Sequence, residues 1–190
     1  MSWIPDFELG IWNAWIFMIW QVIFPFLLIL VIKDKSVIKR LSASVPMKFE
    51  KISNAFSMIV LIISFLFSIF IPLKFDSIWF YIGLAIFLFG LIINLTTFYT
   101  FRKAKTNRPF TTGPYRYSRH PVYFSFALMY FSMTLMSLSW VILIFTIIFT
   151  IEVGIGAPVE EHYCLEKYGK EYKDYMDRTP RWIGIPSNVR

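Results

Sequence analysis

The chain has a single cysteine, Cys164, and only two histidines among its 190 residues. One thiol cannot form an internal disulfide, and the sequence has no Cys/His spacing that is typical of a zinc or iron–sulfur site, so we expect no metal. Charged residues are also few, at 16%, whereas apolar residues make up 57% of the sequence. A soluble domain of this length with such a balance would aggregate, and the composition therefore indicates an integral membrane protein.

Common nucleotide-binding and hydrolase motifs are absent as well. The sequence contains no phosphate-binding loop, no serine-centred elbow and no metal-binding pair of histidines. Its one GxG, Gly154-Ile-Gly156, lies inside an apolar run and does not follow a strand, so it does not predict a Rossmann fold. We interpret these glycines as small residues that let helices pack closely in lipid.

The excess of positive charge is spread over several loops. The net charge is +7, but the cations lie between apolar runs and are not gathered on one soluble face. This distribution is typical of membrane topology signals, and we expect no nucleic-acid partner. The basic loops are expected to face anionic membrane lipids.

Long apolar runs predict five transmembrane helices in one domain that covers residues 1–190. A bilayer crossing needs about 20 residues, and the last two runs together are nearly twice that length, so the chain should fold back near Ser137-Leu-Ser-Trp140. The predicted spans are 9–32, 56–73, 78–98, 122–137 and 140–159. We therefore expect an all-α integral membrane fold with a C-terminal amphipathic cytosolic helix.

Lysine and arginine are concentrated in alternate loops, which predicts the topology. Residues 33–51, residues 99–121 and the tail after Glu160 are rich in cations, whereas the remaining loops carry only Lys74. The positive-inside rule then places the N-terminus outside and the basic loops with the C-terminus in the cytoplasm. The tail keeps apolar residues at three- and four-residue steps, as an amphipathic helix does. The pattern suits a surface anchor and also a lid over a cytosolic pocket, and the two roles are compatible.

Two polar clusters lie at the cytoplasmic ends of the last two predicted spans. They are Gly113-Pro-Tyr-Arg-Tyr-Ser-Arg-His-Pro-Val-Tyr123 and Pro158-Val-Glu-Glu161. Cations, donors and aromatic rings are costly at the mouth of a membrane helix without a partner, so we expect a shared site. Simpler roles stay open, namely flanking cations for Arg119, a helix start for His120 before Pro121, and a solvated carboxylate pair.

Glu152 is an ionisable residue inside the fifth predicted span. It lies about 12 Å along the helix axis from Glu160, on the same face. Exposing a charge to lipid at that depth costs about 2.5–3.5 kcal/mol or more, so the side chain should face the interior of the bundle. Glu152 is therefore a candidate functional residue.

The ordered motifs of the second half resemble those of the isoprenylcysteine carboxyl methyltransferase and phospholipid methyltransferase superfamily of integral membrane enzymes. The resemblance covers roughly residues 105–185. It is carried by Gly113-Pro-Tyr115, Arg119-His-Pro-Val-Tyr123, Glu160-Glu161, Leu165-Glu-Lys-Tyr-Gly-Lys-Glu-Tyr-Lys-Asp-Tyr175 and Pro180-Arg181.

The resemblance implies S-adenosylmethionine as the cofactor and a lipophilic acceptor that enters from the bilayer. By position, the residues implied in cofactor binding are Asn107, Arg108, Pro109, Phe110, Tyr115, His120, Pro121, Val122, Tyr123 and Glu160. Arg119 would orient carboxylates or the acceptor. For an amine acceptor, Glu161 or Glu152 would take the released proton.

Several alternatives stay open at this point. Relatives that modify isoprenylcysteine carry an arginine at the position of Gly156, so its absence disfavours a carboxyl acceptor and a carboxylate-lined cavity favours an amine. Sterol and steroid reductases, which bind NADPH, are similar to this chain in their C-terminal membrane half. At the position of Val122, however, we would expect an asparagine in a reductase. A non-enzymatic membrane scaffold is the other alternative, and the sequence indicates no oligomeric state. The polar candidates for an acceptor pocket in the first three spans are Asn13, Gln21, Asn54 and Asn94, which also suit bonds between helices.

Overall fold

The computed structural model describes residues 7–31, 47–102 and 108–187. These ranges contain six α-helices, a 3-10 turn and one isolated β-bridge between Asn13 and Pro72. The helices are α1 (Trp15–Val31), α2 (Met47–Ser68), α3 (Ile78–Arg102), α4 (Pro121–Ser137), α5 (Trp140–Tyr168) and α6 (Lys170–Arg178), and the 3-10 turn is Gly113–Arg116. The all-helical fold that the sequence predicts is confirmed.

Two of the described helices, α3 and α5, are long and apolar enough to cross a membrane. Their 25 and 29 residues correspond to about 38 and 44 Å at 1.5 Å per residue, against a hydrocarbon core of about 30 Å. The other apolar stretches in the described helices are shorter, at Trp15–Leu27, Ala55–Ser68 and Pro121–Ser137.

The first two helices differ from the predicted spans at the ends that face each other. Helix α1 begins at Trp15, not at Leu9, and α2 ends at Ser68, not at Leu73. The segments beyond these ends pair instead through their backbones, with Ala14 N donating to Ile71 O at 2.9 Å. This pairing satisfies polar groups that helical turns would otherwise satisfy.

Asn13 holds the pairing together. Its side chain is buried, and Nδ2 donates to the carbonyl oxygens of Glu8 and Ile69, both at 2.6 Å. Asn94 has a similar role inside the bundle, because it accepts a hydrogen bond from Trp20 Nε1 at 3.3 Å and donates to Ser125 Oγ at 3.0 Å. Both asparagines thus link separate elements of the bundle.

The other two polar candidates of the first spans differ from these asparagines. Gln21 is buried in α1, and its amide nitrogen has no hydrogen-bond partner among the residues that the structure describes. The side chain of Asn54 lies outside the described part of the chain.

The predicted fold-back between the last two spans is confirmed. Helix α4 ends at Ser137 and α5 begins at Trp140, after Leu138 in the left-handed conformation with φ 50°. By contrast, Gly154 and Gly156 make no close packing contact with the part of the chain that the structure describes, because a Cβ atom at either position would have no neighbour there within 4 Å.

The C-terminal tail is not one separate helix. Helix α5 continues through Pro158 to Tyr168, well beyond the predicted end at residue 159, and the break comes at Gly169 with φ 55°. Pro158 removes only the hydrogen bond to the carbonyl of Gly154, a loss that membrane helices tolerate. The last turns of α5 and the short α6 therefore share the amphipathic pattern.

The closest helix packing in the described structure joins α3 and α4. Phe80 and Phe87 of α3 belong to one buried core with Met129, Met133 and Met136 of α4. Glycines on α3 make this contact close: a Cβ atom on Gly83 would lie 2.7 Å from the backbone oxygen of Ser132. A Cβ atom on Gly90 would likewise lie 3.1 Å from the backbone oxygen of Ser125, so the two helices pack closely from the end of α4 to near its start.

We predict that Gly83→Ala lowers the thermal unfolding midpoint of the protein in detergent. The new methyl group would collide with the Ser132 carbonyl oxygen and with Met136 Cγ, both at 2.7 Å. Overpacking of this kind costs about 1–3 kcal/mol. The matched control is Gly154→Ala, where the added methyl meets nothing, and tryptophan fluorescence provides the measurement. Equal midpoints for the two variants would contradict the close approach.

Candidate active site

The two polar clusters of the sequence meet where α4 begins and the last turns of α5 pass. His120 precedes α4 and lies between two neighbouring carboxylates of α5. Its Nδ1 is 3.5 Å from Glu160 Oε2, and its Nε2 is 3.2 Å from Glu161 Oε1. The adjacency that the sequence predicts is therefore present in the structure.

Glu161 is the centre of an ion-pair network. Its side chain is only 3% exposed, and Arg181 binds it through two hydrogen bonds, Nε to Oε1 at 3.0 Å and Nη2 to Oε2 at 2.8 Å. Arg119 Nε lies 3.1 Å from the same Oε1. Burial alone would raise the pKa of Glu161, but hydrogen bonds from His120 and Arg181 and the charge of Arg119 lower it to about 2. This carboxylate therefore stays ionised.

The pKa of the His120 imidazole is raised, whereas that of Glu161 is lowered. Burial lowers the pKa of His120, but the hydrogen bonds and negative charges of Glu160 and Glu161 outweigh burial and raise it above its ordinary value. The ring also stacks on Tyr123, with centroids 5.4 Å apart and planes 4° from parallel. His120 is thus held on both edges and on one face.

A cavity opens beside this network. Its volume is about 60 Å³, and its residues are mostly aromatic or charged. Phe110 and Tyr115 stack on one side at 5.6 Å between centroids. Burial, with Glu160 next in importance, raises the pKa of the Tyr115 phenol well above its usual range, so the ring stays neutral. The lining residues are Pro109, Phe110, Tyr115, Arg119, His120, Glu160, Cys164, Tyr168, Tyr172 and Tyr175.

Helix α6 lies over the cavity. Tyr172 and Tyr175 are buried on its inner face, and the Tyr175 hydroxyl donates to the backbone oxygen of Tyr115 at 2.8 Å. Arg119 Nη1 donates to the backbone oxygen of Met176 at 3.3 Å. Of the two interpretations of the tail, these contacts favour the lid.

The residues implied in cofactor binding fall into two groups. Five of them line the cavity, namely Pro109, Phe110, Tyr115, His120 and Glu160. Tyr123 is next to them, stacked on His120 and in hydrogen-bonding reach of Glu160.

The others are placed differently. Arg108 is exposed, Pro121 is buried on the other side of the 3-10 turn, and Val122 is half-buried and does not line the cavity. Asn107 lies outside the described residues.

Glu152 lies deeper in the bundle than the cavity. Its carboxylate pairs with the hydroxyl of Ser57 on α2, and Oε2 is buried without a hydrogen-bond partner among the described residues. Of the three residues expected to carry chemistry, Arg119 and Glu161 are in contact, whereas Glu152 is separate from them.

Sequence reasoning missed several residues of the site. Cys164 and Tyr168 follow Glu160 at four-residue steps, so all three lie on one face of α5. This spacing identifies them only if α5 continues beyond Glu160. Burial, then the charge of Glu160, raises the pKa of the Cys164 thiol to about 12, so it stays protonated. Arg181 belongs to a motif that the sequence displayed, but its partner lies twenty residues away and only the fold reveals it.

We predict that Arg181→Ala lowers the thermal midpoint at pH 7 by about 3–6 °C, because Glu161 loses a bidentate partner while Arg119 and His120 remain. The difference in thermal midpoint between the variant and the wild type should disappear as the pH falls from about 4.5 to 2. A carboxylate whose pKa is lower in the folded protein stabilises the fold fully at pH values above its pKa in the unfolded chain. This contribution is lost as the pH falls towards the folded pKa and the carboxyl becomes protonated. Thermal scans across this pH range, with the exposed Arg178→Ala as control, check the prediction. A gap that persists at pH 2 would contradict the ion-pair account.

Comparison with known proteins gives a family match for part of the chain. No curated protein matches the chain. A family model does match, and its description is phospholipid methyltransferase, over residues 78–171. The matched range runs from the start of α3 to the start of α6 and includes His120, Glu160 and Glu161. This segment is therefore similar to the phospholipid methyltransferase family, which is consistent with the superfamily of membrane methyltransferases that the sequence motifs resemble.

Proposed function

We propose that the protein is an integral membrane enzyme that transfers a methyl group from S-adenosylmethionine to a lipophilic acceptor from the bilayer. The family match supports methyl transfer to a lipid-like acceptor. The observation that carries the cofactor assignment is the cavity in which His120 and Glu160 face a ring of aromatic side chains.

The residues of the cavity fit this cofactor, which supplies a methyl group on a cationic sulfur when bound. Aromatic faces attract such a cation by about 0.5–2 kcal/mol, and Phe110 and Tyr115 offer stacked faces for a nucleoside base. Arg119 also lines the cavity, and its cation suits a carboxylate, in addition to the ion pair that its Nε makes with Glu161 Oε1 at 3.1 Å. Glu160 lines the cavity with 28% of its side chain exposed, so its carboxylate can accept hydrogen bonds from hydroxyl or ammonium groups in addition to its contacts with His120 and Tyr123.

In this proposal Glu161 is a positioning residue. A carboxylate with a pKa of about 2 that is bound by two arginines is a poor proton acceptor near neutral pH. Its work is to hold His120 and Arg119 at the cavity wall, which replaces the expectation that it acts as a base. Arg119 then keeps the orienting role.

Glu152 is the better candidate to meet an amine acceptor. It lies between α2 and α5 through its contact with Ser57, and Tyr123 interacts electrostatically with both Glu152 and Glu160. The proposed path of the acceptor runs between these two carboxylates, past Tyr123. The acceptor atom must come within about 3–3.5 Å of the methyl carbon, so positioning along this path should supply most of the catalysis.

We also propose that α1 to α5 all cross the membrane. The shorter apolar stretches of α1, α2 and α4 would cross as parts of the bundle that α3 and α5 define. The basic loops then place the N-terminus outside and the cavity at the cytoplasmic surface.

Isothermal titration of purified protein with S-adenosylhomocysteine and with NADPH tests the cofactor assignment. We expect heat with the first ligand only. Glu160→Gln should weaken that binding about tenfold or more, since hydrogen bonds to charged groups contribute about 1.5–3 kcal/mol. The control is Glu166→Gln, because Glu166 lies on the same helix but is exposed and paired with His162. Binding of NADPH instead would support the reductase, and no heat with either ligand would support the scaffold.

Methylation assays test the acceptor side separately. For lipid amines, we expect Glu152→Gln to lower kcat about 100-fold or more, because it removes a proton acceptor. The affinity for S-adenosylhomocysteine should stay within about twofold, because Glu152 does not line the cavity. Ser57→Ala keeps the carboxylate and should retain most of the activity. Unchanged turnover of Glu152→Gln would remove Glu152 from the mechanism.

A further inference from the structure

A second concavity lies on the other side of the 3-10 turn from the candidate active site. It is a groove of about 550 Å³ along the outer surfaces of α3 and α4, and its volume is in the range of about 300–1,000 Å³ that is usual for ligand sites. Its apolar part is formed by Phe89 and Ile93 of α3, Phe124 of α4 and Ile183 of the tail. Phe89 and Ile183 are about half exposed, at 52% and 54%.

The groove is separate from the cavity of the active site. The 3-10 turn divides them, since Tyr115 lines the cavity whereas Pro114 and Arg116 line the groove. Between the helices themselves there is no passage at this level, because a Cβ atom on Gly90 would lie only 3.1 Å from the backbone oxygen of Ser125. A ligand in the groove therefore touches the outside of the bundle.

The polar end of the groove carries one cation. Arg116 is exposed, and within the described ranges its side chain has no ion pair or hydrogen bond. The residues that line the groove include no carboxylate that could receive a cationic headgroup. A guanidinium at the end of an apolar channel matches a lipid phosphate, which it binds with paired hydrogen bonds.

We propose that the groove binds one anionic phospholipid that is not methylated. Its acyl chain would lie against Ile93 and Phe124, and its phosphate would bind Arg116. The occupied groove would then support the 3-10 turn from the side opposite Tyr115. The turn depends on a close fit already, because Gly113 has φ 62° and a Cβ atom there would collide with the Thr100 hydroxyl.

Native mass spectrometry of the full-length protein in mild detergent tests the proposal. The protein is incubated with phosphatidylglycerol or with phosphatidylcholine, and the retained lipid is counted. We expect one phosphatidylglycerol on the wild type, and about fivefold less on Arg116→Ala, the loss that one interfacial cation implies. Arg116→Lys should retain more than Arg116→Ala. The matched control is Lys170→Ala, which removes an exposed cation outside the groove.

A second variant tests the apolar part of the site. Ile93→Trp fills the groove without changing the charge, and it should abolish retention while gel filtration still gives a monodisperse peak. Phosphatidylglycerol should also raise the thermal midpoint of the wild type but not that of Arg116→Ala. These readouts do not use methyl transfer, so they stand even if the protein binds no S-adenosylhomocysteine.

Three outcomes would overturn the proposal. Equal retention of the two lipids would exclude recognition of the anionic headgroup. An equal loss with Lys170→Ala and Arg116→Ala would indicate diffuse attraction to a basic surface. Competition between phosphatidylglycerol and the methyl acceptor in turnover assays would assign the groove to the acceptor instead.

Discussion

The buried carboxylate of Glu161 is the interaction on which the candidate site depends. It joins α5 to the residues before α4, through Arg119 and His120, and to the segment after α6, through Arg181. A charge that is 3% exposed is tolerable only with such partners, so each partner is required where it lies. The cavity wall, its histidine and its lid are consequently fixed by one set of ion pairs.

The helical bundle provides the base for that network. Close packing of α3 on α4 extends from Gly83 beside Ser132 to Gly90 beside Ser125, four residues into α4, and His120 immediately precedes α4. Several polar groups inside the bundle bond to one another, as Asn94 does to Ser125 and Ser64 to Tyr130. Such internal hydrogen bonding is expected for a bundle in lipid, because lipid offers no hydrogen-bond partners.

Much of this arrangement could be predicted from the sequence, because apolar runs and polar clusters are local signals. The reversal at Ser137 and the meeting of His120 with Glu160 are examples. The sequence did not predict the exact helix ends or the partners of residues that are distant in the chain. Pro158 predicts a helix end, yet α5 continues through it. The pairing of Arg181 with Glu161 depends on how the tail folds back onto α5. The shortened first two helices result from backbone pairing around Asn13, which no periodicity reveals.

The continuity of α5 links the depth of the bilayer to the shape of the pocket. Glu152 and Glu160 lie on one unbroken helix, so neither can shift along the membrane normal without the other. A helix responds to a thicker or thinner lipid layer mainly by changing its tilt. Such a change would carry the inner carboxylate and the pocket wall together, and their spacing would be preserved in membranes of different composition.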